Sequence, residues 1–156
     1  MQKIALKIHS LLLKRHKTIA VAESCTGGLL ASIITRNPGS SKYFILGVVT
    51  YSNTAKAKIL GIPKALIAKK GAVSKEVAIL LAQKVRKVAK TDLGIGITGI
   101  AGPGGAIPQK PVGTVYICVA SDKRFICRKF KFSGTRTAIQ KKSALKALEL
   151  LKMCLI

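Results

Sequence analysis

The passage from Thr18 to Ile34 constrains this chain more than any other stretch. A β-branched run, Thr18-Ile19-Ala20-Val21, leads into Ala22-Glu23-Ser24-Cys25-Thr26-Gly27-Gly28, and a helical pattern, Leu29-Leu30-Ala31-Ser32-Ile33-Ile34, follows at once. A strand that turns sharply into a helix is a building unit of α/β folds. The two glycines permit the turn and let a ligand approach the backbone closely. Ser24 stands at the junction, where N–H groups of a first helical turn are predicted to point at whatever its hydroxyl attacks or binds. Taken alone, the same pattern also reads as an ordinary capped helix start.

The rest of the chain extends the alternation. Ile4, Ile8, Leu11 and Leu12 carry the helical period of an opening amphipathic helix over roughly residues 2–15. A strand near 18–22 leads to the Ser24 turn, and the next helix stops before Asn37-Pro38-Gly39. Phe44 to Tyr51 reads as a buried strand, and Asn53 is placed to cap a short helix over Thr54–Leu60. Ser74 caps a longer helix whose Val77, Leu80, Leu81, Val85 and Val88 share a face, and Leu93–Thr98 is another strand. Gly99 to Pro111 is the longest irregular segment, of the kind that often carries function. Thr114–Val119 and Phe125–Phe132 form a hairpin with its turn near Ser121-Asp122-Lys123; if that turn has two residues, Cys118 lies opposite Cys127, both expected reduced and packed. A final helix over about 136–153 buries Ala144, Leu145, Leu148 and Leu151. The pattern predicts a single-domain α/β fold with three α/β/α layers and a mixed, mostly parallel sheet.

Composition narrows the function classes. With 49% hydrophobic residues in 156, a sizeable core is expected and disorder is not. No apolar run has the length of a bilayer span, and the opening segment lacks the form of a signal peptide, so no membrane association is expected. The four cysteines show no C-x-x-C spacing and only two histidines could join them, so a reducing cytoplasm and no metal are predicted. The net charge of +23 invites a nucleic-acid reading. Its lysines are spread along the whole chain, and there is no Trp beside three Tyr and four Phe, which is a poor supply for base stacking. Non-specific attraction of polyanions at low salt, and a preference for anionic substrates, are the expected consequences.

Two nucleotide motifs fail in context. Gly94-x-Gly96-x-x-Gly99 has the dinucleotide spacing, but its first glycines lie inside a strand pattern and Pro103 follows where a helix should begin. No Gly-Lys-Ser/Thr ending is present. If Ser24 is a nucleophile, it needs a base, and five acids with two poorly placed histidines supply a Ser-His-Asp triad badly. Lys56 has a better setting, in the first turn of a helix beyond the C-terminal end of a strand, where the Ser24 turn also lies. Bringing its pKa from about 10.4 to about 7–8 requires roughly 3–5 kcal/mol. A helix N-terminus supplies only about 0.3–1 kcal/mol of that. Burial must supply most of the rest, with help expected from neighbouring cations.

Several segments, taken together and in order, closely resemble the CinA C-terminal domain family. They are Ala22 to Gly28, Pro38-Gly39-Ser40-Ser41, Val49-Thr50-Tyr51-Ser52-Asn53, Ala55-Lys56, Gly71-Ala72-Val73-Ser74, Thr98 to Gly105, and Lys110 to Val115. The resemblance covers nearly the whole chain and implies one CinA C-terminal-like amidohydrolase domain over residues 1–156. Longer members of the family carry a molybdopterin-binding-like domain as well, for which these residues are expected to leave no room. Stand-alone members are nicotinamide-nucleotide amidases, which convert nicotinamide mononucleotide and water to nicotinate mononucleotide and ammonia in pyridine nucleotide recycling. The resemblance implies a serine amidase with no cofactor and no metal, working as a homodimer or higher homo-oligomer.

The family's site residues carry over onto matching positions. Ser24 matches the nucleophile and Lys56 the proposed general base, with Tyr51 near enough to relay or orient the proton. Thr98 and the glycines after it, Gly99, Gly102, Gly104 and Gly105, match the region that lines substrate. Arg136 matches an active-site arginine and is the candidate anchor for the substrate phosphate. Glu23, Cys25, Thr26, Gly27 and Gly28 complete the expected binding set, with Glu23 free to hold ribose hydroxyls or to balance Lys56. The oxyanion is expected to meet N–H groups at the helix start or Thr98. Thr54, Thr135 and Gln140 depart from an acid, an aspartate and an arginine usual in the family. Those departures leave open a decayed member that keeps only the fold, and the charge leaves open a non-catalytic nucleotide- or nucleic-acid-binding protein.

Overall fold

A computed structural model describes residues 1–156. Small residues on one face of the sheet decide how its layers meet. The order of elements is α1 (Gln2–Lys14), β1 (Ile19–Glu23), α2 (Leu29–Thr35), a 3₁₀ turn (Ser40–Lys42), β2 (Phe44–Val49), α3 (Asn53–Leu60), α4 (Lys64–Lys70), α5 (Lys75–Ala89), β3 (Leu93–Gly99), β4 (Thr114–Ala120), β5 (Phe125–Lys131) and α6 (Arg136–Leu155). The sheet runs β2-β1-β3-β4-β5. β1 pairs parallel with β2 and β3, while β4 is antiparallel to both β3 and β5. β4 is therefore the one reversed strand of a mixed α/β sheet, as the sequence predicts.

Registered neighbours across the sheet alternate in size. Val21, Ile95, Val119 and Ile126 stand in one row, while Ala22, Gly96, Cys118 and Cys127 stand in the next. The large side chains face α1, α2 and α6, and form the main core with Ile8, Leu12, Leu30, Ile139, Leu148 and Leu151. The small ones face α5, whose own Ala78 and Ala82 pack against Cys118 and Ala120. A Cβ at Gly96 would meet the Ala82 nitrogen at 2.5 Å and overlap the Ala78 carbonyl. These strand glycines therefore serve close helix-on-sheet packing, which is why the dinucleotide spacing is a false match.

Three local expectations are corrected. β2 is an edge strand with alternating exposure rather than a buried one, because only β1 flanks it. Ser52, not Asn53, caps α3, accepting from the Ala55 N–H at 3.0 Å. The helix α4 was unforeseen; it is one short element with a single buried residue, Ile67. On α5, Val77, Leu81 and Val85 are buried as expected, with Ala78 and Ala82 beside them, while Val88 is exposed. No helix is long and apolar enough to cross a membrane.

Candidate active site

The C-terminal ends of β1, β2 and β3 deliver their following loops to one point. A cavity of about 270 Å³ there is lined by Ser24, Cys25, Tyr51, Lys56, Thr98, Gly99, Gly102, Gly104, Gly105 and Arg136, all expected from the sequence. Asn53, Ala72, Val73, Ile100 and Ala101 line it too. Ala72 and Val73 lie within one of the segments that carried the resemblance. Asn53 also lies within such a segment, but the sequence suggests only a capping role for it, and its place at the cavity is new.

Ser24, in the turn after β1, and Lys56, in α3 after the neighbouring β2, meet inside the protein. Lys56 Nζ lies 3.1 Å from Ser24 Oγ, 2.8 Å from the Thr50 carbonyl and 3.3 Å from the Tyr51 carbonyl. Lys56 is 1% exposed and Ser24 7%. Burial lowers the lysine pKa below its ordinary value, and no neighbouring cation contributes to the shift. Desolvation is the larger cause, and the neighbouring Cys25 opposes it. A neutral amine has two N–H groups and one lone pair. As an ammonium, Nζ donates to all three oxygens; in the neutral form the two carbonyls can hold both N–H groups, and the lone pair is then free for the Ser24 hydroxyl proton.

The turn itself is built differently from the expectation. Gly27 and Gly28 both take positive φ, +61° and +94°, and α2 begins only at Leu29. The Glu23 carboxylate, buried at 1% exposure, reaches back over this turn. It accepts from the N–H groups of Gly28 (3.1 Å), Leu30 (3.1 Å) and Ala31 (2.8 Å). Glu23 is therefore the N-terminal cap of α2, and the helix-start N–H groups expected at the oxyanion are occupied. With its oxygens so engaged, Glu23 reaches neither the cavity nor Lys56. Thr26, Gly27 and Gly28 likewise shape the turn without lining the cavity.

Other roles shift as well. The Thr98 hydroxyl donates to the Ala72 carbonyl at 2.8 Å, so it fixes the Gly71–Ser74 loop instead of offering its proton to an oxyanion. The Tyr51 phenol accepts from Arg136 at 2.6 Å; its link to Lys56 is through the backbone carbonyl, so a phenolic relay is not what brings it there. Arg136 also donates to the Gly102 carbonyl at 2.8 Å and so ties the Tyr51 turn to the glycine loop. The backbone N–H groups of Cys25, Ala101, Gly102, Gly104 and Gly105 have no acceptor within the chain. Burial pushes the Cys25 thiol up to about 12, which leaves it protonated and unreactive near neutrality.

The three sequence departures have simple local readings. Gln140 donates to the Cys25 carbonyl at 2.9 Å and steadies the Ser24 turn. Thr135 caps α6, accepting from the Ala138 N–H, which is the service an aspartate would give there. Thr54 is exposed and does not line the cavity. A larger cavity, about 870 Å³, opens at the other end of the sheet around Arg15, Asp92 and Arg124, and contains no paired nucleophile and base. No group of three or more His, Cys, Asp or Glu side chains comes together to hold a metal.

The profile of the CinA C-terminal domain matches residues 1–155. The chain belongs to the CinA C-terminal domain family. A CinA-like protein of Geobacter sulfurreducens is 50% identical over 139 residues, which are 89% of this chain and 34% of that protein. A second, from Geobacter metallireducens, is 48% identical over the same share of this chain. This CinA-family chain spans about a third of the length of the curated relatives it matches. A competence/damage inducible protein from Agrobacterium tumefaciens, CihA, superposes with a TM-score of 0.95 at 33% identity, covering 99% of this chain and 94% of its own. A CinA superfamily protein of Escherichia coli gives 0.94 at 29%, with 98% and 89% covered.

Proposed function

We propose that this CinA-family chain is a serine amidohydrolase that converts nicotinamide mononucleotide and water to nicotinate mononucleotide and ammonia. The observation that carries the reading is a buried lysine amine 3.1 Å from a serine hydroxyl at a cavity. In this reading neutral Lys56 takes the Ser24 proton as Oγ attacks the carboxamide carbon. The tetrahedral oxyanion is met by backbone N–H groups without acceptors in the chain, with Cys25 next to the nucleophile the first candidate. Lys56 then gives its proton to the departing nitrogen, and ammonia leaves. Water attacks the acyl-serine, its proton passes to Lys56, and the carboxylate product is released as Ser24 recovers its hydrogen.

Arg136 lies at the cavity and presents a guanidinium beside the glycine loop, a suitable partner for a substrate phosphate. The test is product analysis. Purified protein with nicotinamide mononucleotide should yield ammonia and nicotinate mononucleotide in equal amounts. No conversion of this or related pyridine nucleotides would reject the reading. The net charge of +23 favours a second reading, a non-catalytic polyanion-binding protein. That reading predicts binding that falls steeply with salt and is indifferent to Ser24.

A further inference from the structure

A second pair of reactive groups sits away from the cavity, where β4 and β5 meet. Cys118 and Cys127 are directly opposite in the antiparallel register. The hairpin closes with the Ser121 N–H donating to the Arg124 carbonyl at 2.8 Å. Hydrogen-bonded and non-hydrogen-bonded pairs alternate from that end. Ser121/Arg124 is bonded, so Val119/Ile126 is bonded and Cys118/Cys127 is not. Non-hydrogen-bonded partners stand about 4.5 Å apart at Cα, with side chains closest together, inside the roughly 4.4–6.8 Å span of disulfides. Both side chains face α5, and both thiols are free.

We infer that Cys118 and Cys127 form an oxidisable dithiol that closes to an intrachain disulfide on reaction with a low-molecular-weight disulfide. The two cysteines differ in the way such a site needs. Cys118 is 0% exposed, whereas Cys127 is partly open on the edge strand of the sheet. The Cys118 thiol, with Lys75 and Arg128 nearby, lowers the Cys127 pKa, while Cys118 is raised by Cys127 and by burial. Cys127 is thus the attacking thiolate and Cys118 the resolving thiol.

The steps balance without any other reactant. The Cys127 thiolate attacks one sulfur of the small disulfide, breaks its S–S bond and expels one thiolate, which leaves a mixed disulfide. Cys118 then gives up its proton and attacks the Cys127 sulfur, displacing the second small thiol. Two protein thiols are oxidised, and one small disulfide is reduced to two small thiols.

The test uses the intact chain in an excess of glutathione disulfide, quenched with an alkylating agent and digested without reduction. The expected result is a loss of about 2 Da from the intact protein before alkylation and, in a tryptic digest, a crosslink between the Phe125–Arg128 peptide and the peptide that contains Cys118. Cys118→Val should stop the reaction at a glutathione adduct on Cys127. An intermolecular crosslink, an adduct that persists on Cys127 in the wild type, or alkylation of both Cys118 and Cys127 after the same exposure would overturn the inference. The wild-type outcome alone decides the matter if that variant fails to fold.

Discussion

Lys56 Nζ sits 3.1 Å from Ser24 Oγ with its other contacts on the Thr50 and Tyr51 carbonyls. In the proposed mechanism the reactive form is the neutral amine, and burial depresses its pKa. The value of kcat/KM is therefore expected to rise with pH through an ionisation below the ordinary lysine value of about 10.4. Lys56→Ala should lower kcat by about 10²–10⁴-fold and remove that limb of the profile. Steady-state ammonia release across pH, compared between the two proteins, checks both expectations.

The same shift has a consequence for stability. A lysine whose folded pKa is depressed binds fewer protons folded than unfolded, between the lowered value and its ordinary value of 10.5. Unfolding free energy attributable to it therefore rises with pH through that window, and the penalty is present in full below the folded pKa. Compared with Lys56→Met, the wild type should gain stability as pH climbs from neutral towards 10.5. Urea unfolding of both proteins at several pH values measures the difference, and parallel curves would contradict a buried, titrating amine.

Glu23 holds three N–H groups at the start of α2 while itself buried. Hydrogen bonds to a charged acceptor contribute about 1.5–3 kcal/mol each, and they are not additive. Glu23→Ala should cost about 3 kcal/mol or more, read as a lowered urea midpoint. Glu23→Gln, which keeps one acceptor oxygen, should cost less. The substrate affinity of any protein that stays folded should change little, since the carboxylate does not reach the cavity.

Arg136 bridges the Tyr51 hydroxyl and the Gly102 carbonyl with two different nitrogens. A lysine has one nitrogen and cannot reproduce that fork. Arg136→Lys is expected to raise KM about 10-fold or more with a smaller change in kcat, as loss of substrate positioning would. Initial-rate kinetics with nicotinamide mononucleotide separates the two parameters.

Strand-helix alternation and the cavity residues were legible because each leaves a local mark. Ser24 lies between a β-branched run and two glycines, and Lys56 follows a turn beyond the next strand. Their meeting was inferable from the rule that ligands bind beyond strand ends in α/β sheets. The Glu23 cap was not legible. Its carboxylate reaches N–H groups five to eight residues further on, which only the left-handed Gly27-Gly28 turn makes possible. The exposure of β2 was hidden for another reason: an apolar run does not reveal whether a strand has one neighbour or two, and Ile45 and Val49 are 51% and 45% exposed. The seven residues of α4 are too few to show a helical period.

The most direct measurement is ammonia release from nicotinamide mononucleotide by Ser24→Ala beside the wild type at equal concentration. Removing the attacking oxygen should lower turnover by at least about 10³-fold while leaving the fold intact by circular dichroism. Undiminished release by the alanine protein would show that this hydroxyl is not the nucleophile, and the mechanism built on its buried amine partner would be wrong.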